Sequence, residues 1–183
     1  GYVLVRTKYP GRAILDSICW LPSAIPGVLS GLGLLWMFLG TPFFRPFYGT
    51  LVLLMIAQVL GGITLATQIL KSHFVQLGKE LEESSRMSGA GFWRTYFKVV
   101  FPLMAQTMVL VAVLKFTMAS QNSSSIILLA TSETRTLSLL ALDQIAAGYR
   151  EVASITVIFI TLLTLGVALI ARSFGLKAGI RAE

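Results

Sequence analysis

The sequence contains one cysteine, one histidine and eight acidic residues in 183 positions, and charged side chains make up only 13% of it. A single cysteine, Cys19, excludes an internal disulfide and a cysteine zinc cluster, and its apolar setting makes it a small packed residue rather than a redox centre. His73, at the edge of an apolar run beside Phe74, has no second histidine or cysteine to complete a metal site. There is no nucleophile elbow, no Walker A loop and no pair of carboxylates on one helix face, so nothing points to hydrolysis. A fixed-period repeat and a low-complexity linker are also missing, which leaves one helical domain over residues 1–183.

Apolar residues are what the chain has in excess. At 55% hydrophobic it is too apolar for an ordinary soluble domain. The net charge of +7 would suggest nucleic acid or anionic lipid if the basic residues shared one soluble surface, but they stand at the ends of apolar runs. That placement is a membrane topology signal and argues against a nucleic-acid partner. The expected fold class is all-α, a polytopic bundle of membrane helices with lipid around it.

In chain order, the opening GYVLVRTKYPGR lacks the layout of a cleavable leader and starts without methionine. It reads as the tail of a helix already crossing the membrane, and hence as the start of a fragment. Gly1 to Val5 would be that last turn, with Arg6, Lys8 and Arg12 in a cytosolic loop around Pro10-Gly11. Ala13 to Trp20 carries Asp16 and is followed by Pro22 and Pro26, the pattern of an interfacial elbow. A first span is expected from Ile25 to Leu39, with Gly27, Gly31 and Gly33 offering a small-residue face to another helix. Gly40 to Thr50, rich in Phe and Tyr, suits an outer loop at headgroup level. Leu51 to Leu70 has the roughly 20 residues that a second span needs.

Between residues 78 and 101 the chain turns polar. A short helix from about Gly78 to Ser88 carries Glu80, Glu82 and Glu83 in its first turns, the sign the helix dipole prefers there. Gly89 is placed to end it in a left-handed conformation. A second short helix is expected from Phe92 to Val100, and Pro102 then opens the next apolar run. From composition alone such a hairpin could equally lie in the lipid interface. The run after Pro102 extends to about Ala119 and contains Lys115, whose charge must face a partner or a water-filled path, or snorkel outward. Ser120, Gln121, Asn122, Ser123, Ser124 and Ser125 cannot sit against lipid; they line a cavity, pack inside the bundle or form the outer turn. Thr131 to Arg135 reads as a capped loop, Leu137 to Ala147 as a short helix that need not span, Gly148 to Arg150 as a turn and Val152 to Ala171 as the last span. Arg172, Lys177 and Arg181 fall in a cytosolic tail. With the first loop, the hairpin and the tail inside, eleven of the fifteen Lys and Arg are cytosolic, as the positive-inside rule requires.

The ordered set Glu83-Ser84-Ser85, Gly89, Val99 and Phe101-Pro102 resembles the EAA loop of the permease subunits of binding-protein-dependent ABC importers. In that family the pattern is Glu-Ala-Ala, Gly, Ile and Leu-Pro. The departures are two serines for alanines, Val99 for isoleucine and Phe101 for leucine, all modest in size, although the serines make one helix face more polar. LPSAIPGVLSGLGLLW is similar to the Leu-Pro-x-x-Ile-Pro-Gly entry of a core helix in the same family. At Gln121-Asn122-Ser123 the chain lacks the acidic residue or arginine that often stands near the family's outer gate, which weakens a charge-based gating role, while Thr136-Leu137 matches.

The resemblance implies the type I importer permease fold, with residues 78–101 as a cytosolic coupling hairpin and Glu83, Ser84, Ser85, Gly89, Phe92, Trp93, Val99 and Pro102 as the residues that couple to an ATPase. It implies a substrate pathway past Lys115, Ser120, Gln121, Asn122 and Ser123, and residence in a bacterial cytoplasmic membrane. The implied partners are a cytosolic ABC ATPase dimer, a periplasmic or lipoprotein substrate-binding protein and a second permease domain. No cofactor is expected on this chain itself; ATP and magnesium would belong to the ATPase. The segments SSSIILLAT and TLSLLALDQI are most similar to permeases of the ferric-iron class, so ferric iron or a related small solute is the expected cargo. Two other classes fit parts of the sequence: a membrane scaffold or signalling subunit whose hairpin binds another protein, and an ion-gradient transporter, for which Asp16 and Asp143 are the only candidate intramembrane acids.

Overall fold

A computed structural model describes residues 1–173, and every regular element in that range is helical. Lys177 and Arg181, assigned above to the tail, lie outside the described residues. In order the elements are α1 (Tyr2–Arg6), α2 (Arg12–Ala24), α3 (Gly27–Gly40), a 3₁₀ turn (Arg45–Phe47), α4 (Leu51–Leu60), α5 (Ile63–Gln76) and α6 (Glu80–Met87). They continue as α7 (Phe92–Thr95), a π-helical segment (Tyr96–Val100), α8 (Phe101–Gln121), a second 3₁₀ turn (Ser132–Thr134), α9 (Leu137–Ala146) and α10 (Arg150–Ser173).

Among the described residues two continuous helices are long and apolar enough to cross a bilayer, Phe92–Gln121 and Arg150–Ser173, and two bent pairs could each serve as one further span. The first bent pair is the expected elbow: α2 and α3 meet at 106° across Ile25 and Pro26. Pro22 does not break α2, contrary to the reading of the sequence; it sits in the last turn, so only one intrahelical bond is forfeited before the helix ends. With 14 residues, α3 extends roughly 21 Å, short of the roughly 30 Å hydrocarbon core.

The expected second span, Leu51 to Leu70, is bent in the middle. Helices α4 and α5 bend by 46° at Gly61-Gly62, and α5 runs on to Gln76. The glycines permit the close approach of another chain segment: a Cβ on Gly62 would lie 2.4 Å from Lys115 Cε, so the lysine stem crosses the break where a side chain would stand.

The second arm of the hairpin is also not a separate helix. Phe92 to Gln121 is one rod of 30 residues, and the proline is absorbed by a change of hydrogen-bond register. Phe101 donates to the carbonyl of Tyr96, five residues back, in the π segment just before Pro102. Proline lacks the donor that an α-helix needs and crowds the carbonyl four residues earlier, and a widened turn relieves both.

Two apolar cores hold the bundle. One unites Leu34 and Phe38 of α3, Leu53, Leu54 and Ala57 of α4, Ile126 and Leu129 of the loop after α8, and Leu139 of α9. The other, at the hairpin end, centres on Phe74, Val100 and Met104, with Tyr2, Val5, Leu70, Leu77 and Tyr96 around it. Much of the remaining surface is large and apolar, including Ile155, Phe159, Leu162 and Leu169 of α10, as a lipid-facing surface demands.

Of the three glycines expected to form a small-residue face, Gly27 and Gly31 do so, but against a loop rather than a helix. A Cβ on Gly31 would lie 2.5 Å from the backbone oxygen of Ser125, and one on Gly27 would lie 2.9 Å from Ser124 Oγ. Gly33 has open space around it and takes no part.

Candidate functional site

The hairpin is built by capping. Helix α6 has Glu80, Glu82 and Glu83 in its first turn and Arg86 in its last, so both ends complement the macrodipole. It closes on a Schellman motif: Gly89 N–H bonds the Arg86 carbonyl at 2.9 Å, and Ala90 N–H reaches back to Ser85 at 3.2 Å. Gly89 has φ +80°, a conformation that glycine adopts without penalty. The two arms are tied by a hydroxyl pair, Ser85 Oγ to Thr95 Oγ1 at 3.1 Å, with Thr95 buried. The serine that departs from the family's alanine thus has a partner in this chain, while Ser84 bonds the Leu81 carbonyl of its own helix.

The other candidate coupling residues divide between inside and outside. Phe92, 45% exposed, touches Tyr2 with ring centroids 5.9 Å apart and stacks with Tyr96 at 6.2 Å. Val99 lines the crevice beneath α6 with Arg6, Leu77, Leu81 and Glu82. Pro102 starts the apolar part of the rod. Glu83 is exposed, and Trp93 is exposed and stacked on Phe97 at 5.9 Å. With Met87, 89% exposed, Trp93 and Phe97 give the hairpin an apolar outer surface.

Sequence reasoning missed what holds the hairpin down. Arg6, placed in a free basic loop above, is enclosed: its Nε lies 2.8 Å from Glu82 Oε1, with side-chain exposures of 6% and 12%. Tyr2 donates its hydroxyl to Glu82 Oε2 at 3.0 Å. Arg6 also donates to the carbonyls of Leu77 and Gly78, the linker into α6. These contacts span most of the first half of the chain, and no local periodicity announces them.

Three of the five candidate pathway residues, Lys115, Gln121 and Ser123, line grooves. Lys115 lies with Gln58, Val59, Gly62, Ile63, Ala66, Ala112, Phe116 and Ala119 around a cavity of about 460 Å³ at the α4–α5 bend. Gln121 and Ser123 line a second cavity of about 380 Å³, with Ser138 and Leu142 of α9 and Ile160 and Thr161 of α10. Asn122 sits between them as a polar knot. Its Nδ2 donates to Ser125 Oγ at 3.0 Å and approaches Gln58 Oε1 at 3.5 Å, and its Oδ1 accepts from Ser124 N–H at 3.1 Å. Ser120 bonds the Phe116 carbonyl within its own helix. The loop after α8 is therefore irregular backbone anchored by the buried Ser125, Ile126 and Leu129, with Gln121, Ser124, Ile127 and Leu128 exposed.

Neither candidate acid of an ion-gradient transporter stands alone: Asp16 is ion-paired with Lys71, and Asp143 lies 3.4 Å from Arg135 Nε. Among the described residues no group of three His, Cys, Asp or Glu could hold a metal ion.

Comparison with known proteins places this architecture. The ferric transport system permease protein FbpB of Actinobacillus pleuropneumoniae is 26% identical over 153 residues, 84% of this chain and 22% of the relative. A probable sulfate transport system permease protein cysT of Chlorokybus atmophyticus is 27% identical over 140 residues, 72% of this chain and 49% of the relative. The molybdenum transport system permease protein ModB of Escherichia coli K12 is 27% identical over 176 residues, 88% of this chain and 77% of the relative. The chain thus spans 22% of the ferric relative and 49% of the sulfate relative. The family model described as binding-protein-dependent transport system inner membrane component matches residues 4–176. With nearly its whole length matched and its helices arranged for multi-pass insertion, the chain belongs to the family of binding-protein-dependent transport system inner membrane components.

Proposed function

We propose that this chain is a permease segment of an ATP-driven importer, and that the hairpin is where a cytosolic ATPase takes hold of it. The observation that carries the reading is the unbroken rod from Phe92 to Gln121: one end is the exposed arm of the hairpin and the other ends at the polar loop of the bundle. A push on Trp93 at one end reaches Asn122 at the other without crossing a flexible joint.

In this reading the exposed Glu83, Met87, Trp93 and Phe97 meet the ATPase surface, Gly89 supplies the turn, and Ser84, Ser85, Phe92, Val99 and Pro102 hold the hairpin's shape. ATP and magnesium act on the ATPase. Closing of its dimer brings two hairpins together, one from this chain and one from a second permease domain, and the membrane helices rock between inward-open and outward-open states. A periplasmic or lipoprotein binding protein delivers the solute, and Lys115, Ser120, Gln121, Asn122 and Ser123 line its way. Ferric iron is one cargo consistent with the relatives, and sulfate and molybdenum are the others their names give. In this reading, selection of the solute falls to the binding protein.

The test is to solubilise the full-length protein gently from its membrane and identify what stays bound, beside a Glu83→Lys, Gly89→Asp double variant. An ATPase that accompanies the parent and is lost from the variant supports the reading. Intact parent without any ATPase overturns it and favours a scaffold subunit.

A further inference from the structure

Two neighbouring glutamates on α6 have different surroundings. Glu83 is exposed. Glu82 is occupied on both carboxylate oxygens, by Arg6 at 2.8 Å and by the Tyr2 hydroxyl at 3.0 Å. Arg6 is itself shared, because its guanidinium also donates to Leu77 and Gly78, the residues through which α5 passes into the hairpin. One side chain thus bridges the α5–α6 linker and α6 itself. The element that carries it, α1, packs on both α5 and α2. Its Tyr2 ring makes edge contacts with Phe74 of α5 at 5.7 Å and with Tyr96 of the rod at 5.4 Å.

We propose that Arg6, with Tyr2 and Glu82, is a second coupling device: a clamp that transmits hairpin movement to α5 and α2, beside the direct route through the rod. The inference rests on the importer reading of the hairpin. Without the clamp, α6 keeps its linker to α5 through Leu77, Gly78 and Lys79, and α5 keeps its apolar contact with the rod through Phe74 against Val100 and Met104; the clamp adds the polar tie that makes α5 follow α6 directly. Since α5 begins at the Gly61-Gly62 bend over which Lys115 lies, the clamp ties the hairpin to one wall of the Lys115 cavity. A planar guanidinium suits this role because its Nε edge pairs with the Glu82 carboxylate while one terminal nitrogen donates to the Leu77 and Gly78 carbonyls; an ammonium on a flexible stem offers no such fixed spacing. Arg6 is a positioning residue and touches no solute.

The experiment uses the full permease–ATPase complex, purified intact and placed in lipid vesicles. In a Cys19→Ser background, Ala66→Cys reports on the α5 wall of the Lys115 cavity through its labelling rate with a charged thiol reagent. That rate is measured with and without magnesium ATP, and ATP hydrolysis is measured in parallel. With Arg6 intact, ATP is expected to change the labelling rate about tenfold, within the usual range of coupling between sites. Arg6→Gln is expected to reduce that change severalfold while the ATPase stays bound and hydrolyses ATP, and Arg6→Lys to restore part of it. A simple folding defect would lower bound ATPase and hydrolysis together instead. If Arg6→Gln does not accumulate, Tyr2→Phe decides the matter, since it removes only the hydroxyl and keeps the ring packing; a reduced ATP response supports the clamp. An unchanged ATP response in Arg6→Gln, or in Tyr2→Phe where that variant decides, overturns the clamp and leaves the importer reading standing. Absence of an ATPase from the parent overturns the importer reading itself.

Discussion

Gly89 and Gly31 are both required to be glycine, for different physical reasons. Gly89 has a positive φ and nothing within 4 Å of where a Cβ would stand, so a side chain there meets strain in the backbone and no clash. Gly89→Val is expected to cost about 1–2 kcal/mol in the turn, the usual penalty of a left-handed L-residue. Gly89→Asn should cost less, because asparagine tolerates that region. ATPase retained on co-purification should then rank Gly, Asn, Val. At Gly31 the backbone is ordinary and the space is filled by the Ser125 carbonyl. Gly31→Ala is expected to destabilise the bundle by about 1–3 kcal/mol through overpacking. Gly33→Ala, in open space, should be neutral or stabilising by up to about 1 kcal/mol from helix propensity. Thermal aggregation in mild detergent distinguishes the two. The sequence made all three positions of the Gly27, Gly31, Gly33 set look alike, since spacing shows which residues are small and not what comes near them. Glu82 and Glu83 were likewise alike on paper, and only contacts with Arg6 and Tyr2, distant in sequence, separate them.

Among the elements, the rod is most informative. Pro102 and the π segment ahead of it fix the rotational phase between the hairpin arm and the span. If Pro102→Ala lets the segment relax into an α-helix, the missing extra residue per turn rotates Phe92–Thr95 by about 100° against α8. Phe92 would then leave Tyr2, and Trp93 would leave the exposed face. Pro102→Ala is therefore expected to leave insertion unchanged or improved while ATPase retention falls, read by membrane yield against co-purified ATPase. Hairpin, glycine turn and amphipathic second arm were legible in the sequence because caps and charge periodicity act within a few residues. The fusion of that arm with the span was not, because a proline normally marks a helix start and only the local register change lets the helix continue through it.

For the whole molecule, the two bent pairs and the ion pair between them matter most. Asp16 of α2 and Lys71 of α5 join the elbow to the broken span, and Thr64 adds a hydrogen bond to the Cys19 carbonyl. Each partner of the pair is about one-third exposed. Asp16→Asn should therefore destabilise by an amount between the roughly 0–1 kcal/mol of an exposed pair and the roughly 3–5 kcal/mol of a buried one. Transport in an importer should keep its dependence on ATP in that variant and show none on a proton gradient. Loss of a proton-driven flux in Asp16→Asn vesicles would instead favour the ion-gradient class. Thiols introduced at Thr50 and at Ser88 should label from opposite sides of the membrane, as the distribution of basic residues requires.

The sequence by itself determined the solvent and the family, and it predicts an orientation. A run of apolar residues can satisfy its backbone in lipid only as a helix, basic residues prefer the cytosolic side, and the hairpin's chemistry is written in consecutive residues. The tertiary structure decided which helices bend, which glycines are approached, and that Asn122 is tied into a polar knot beside Gln58 while Arg6 is committed to Glu82 and the α5–α6 linker. Those outcomes depend on segments far apart in the chain meeting at ångström distances, and a pattern of single residues carries no record of such meetings.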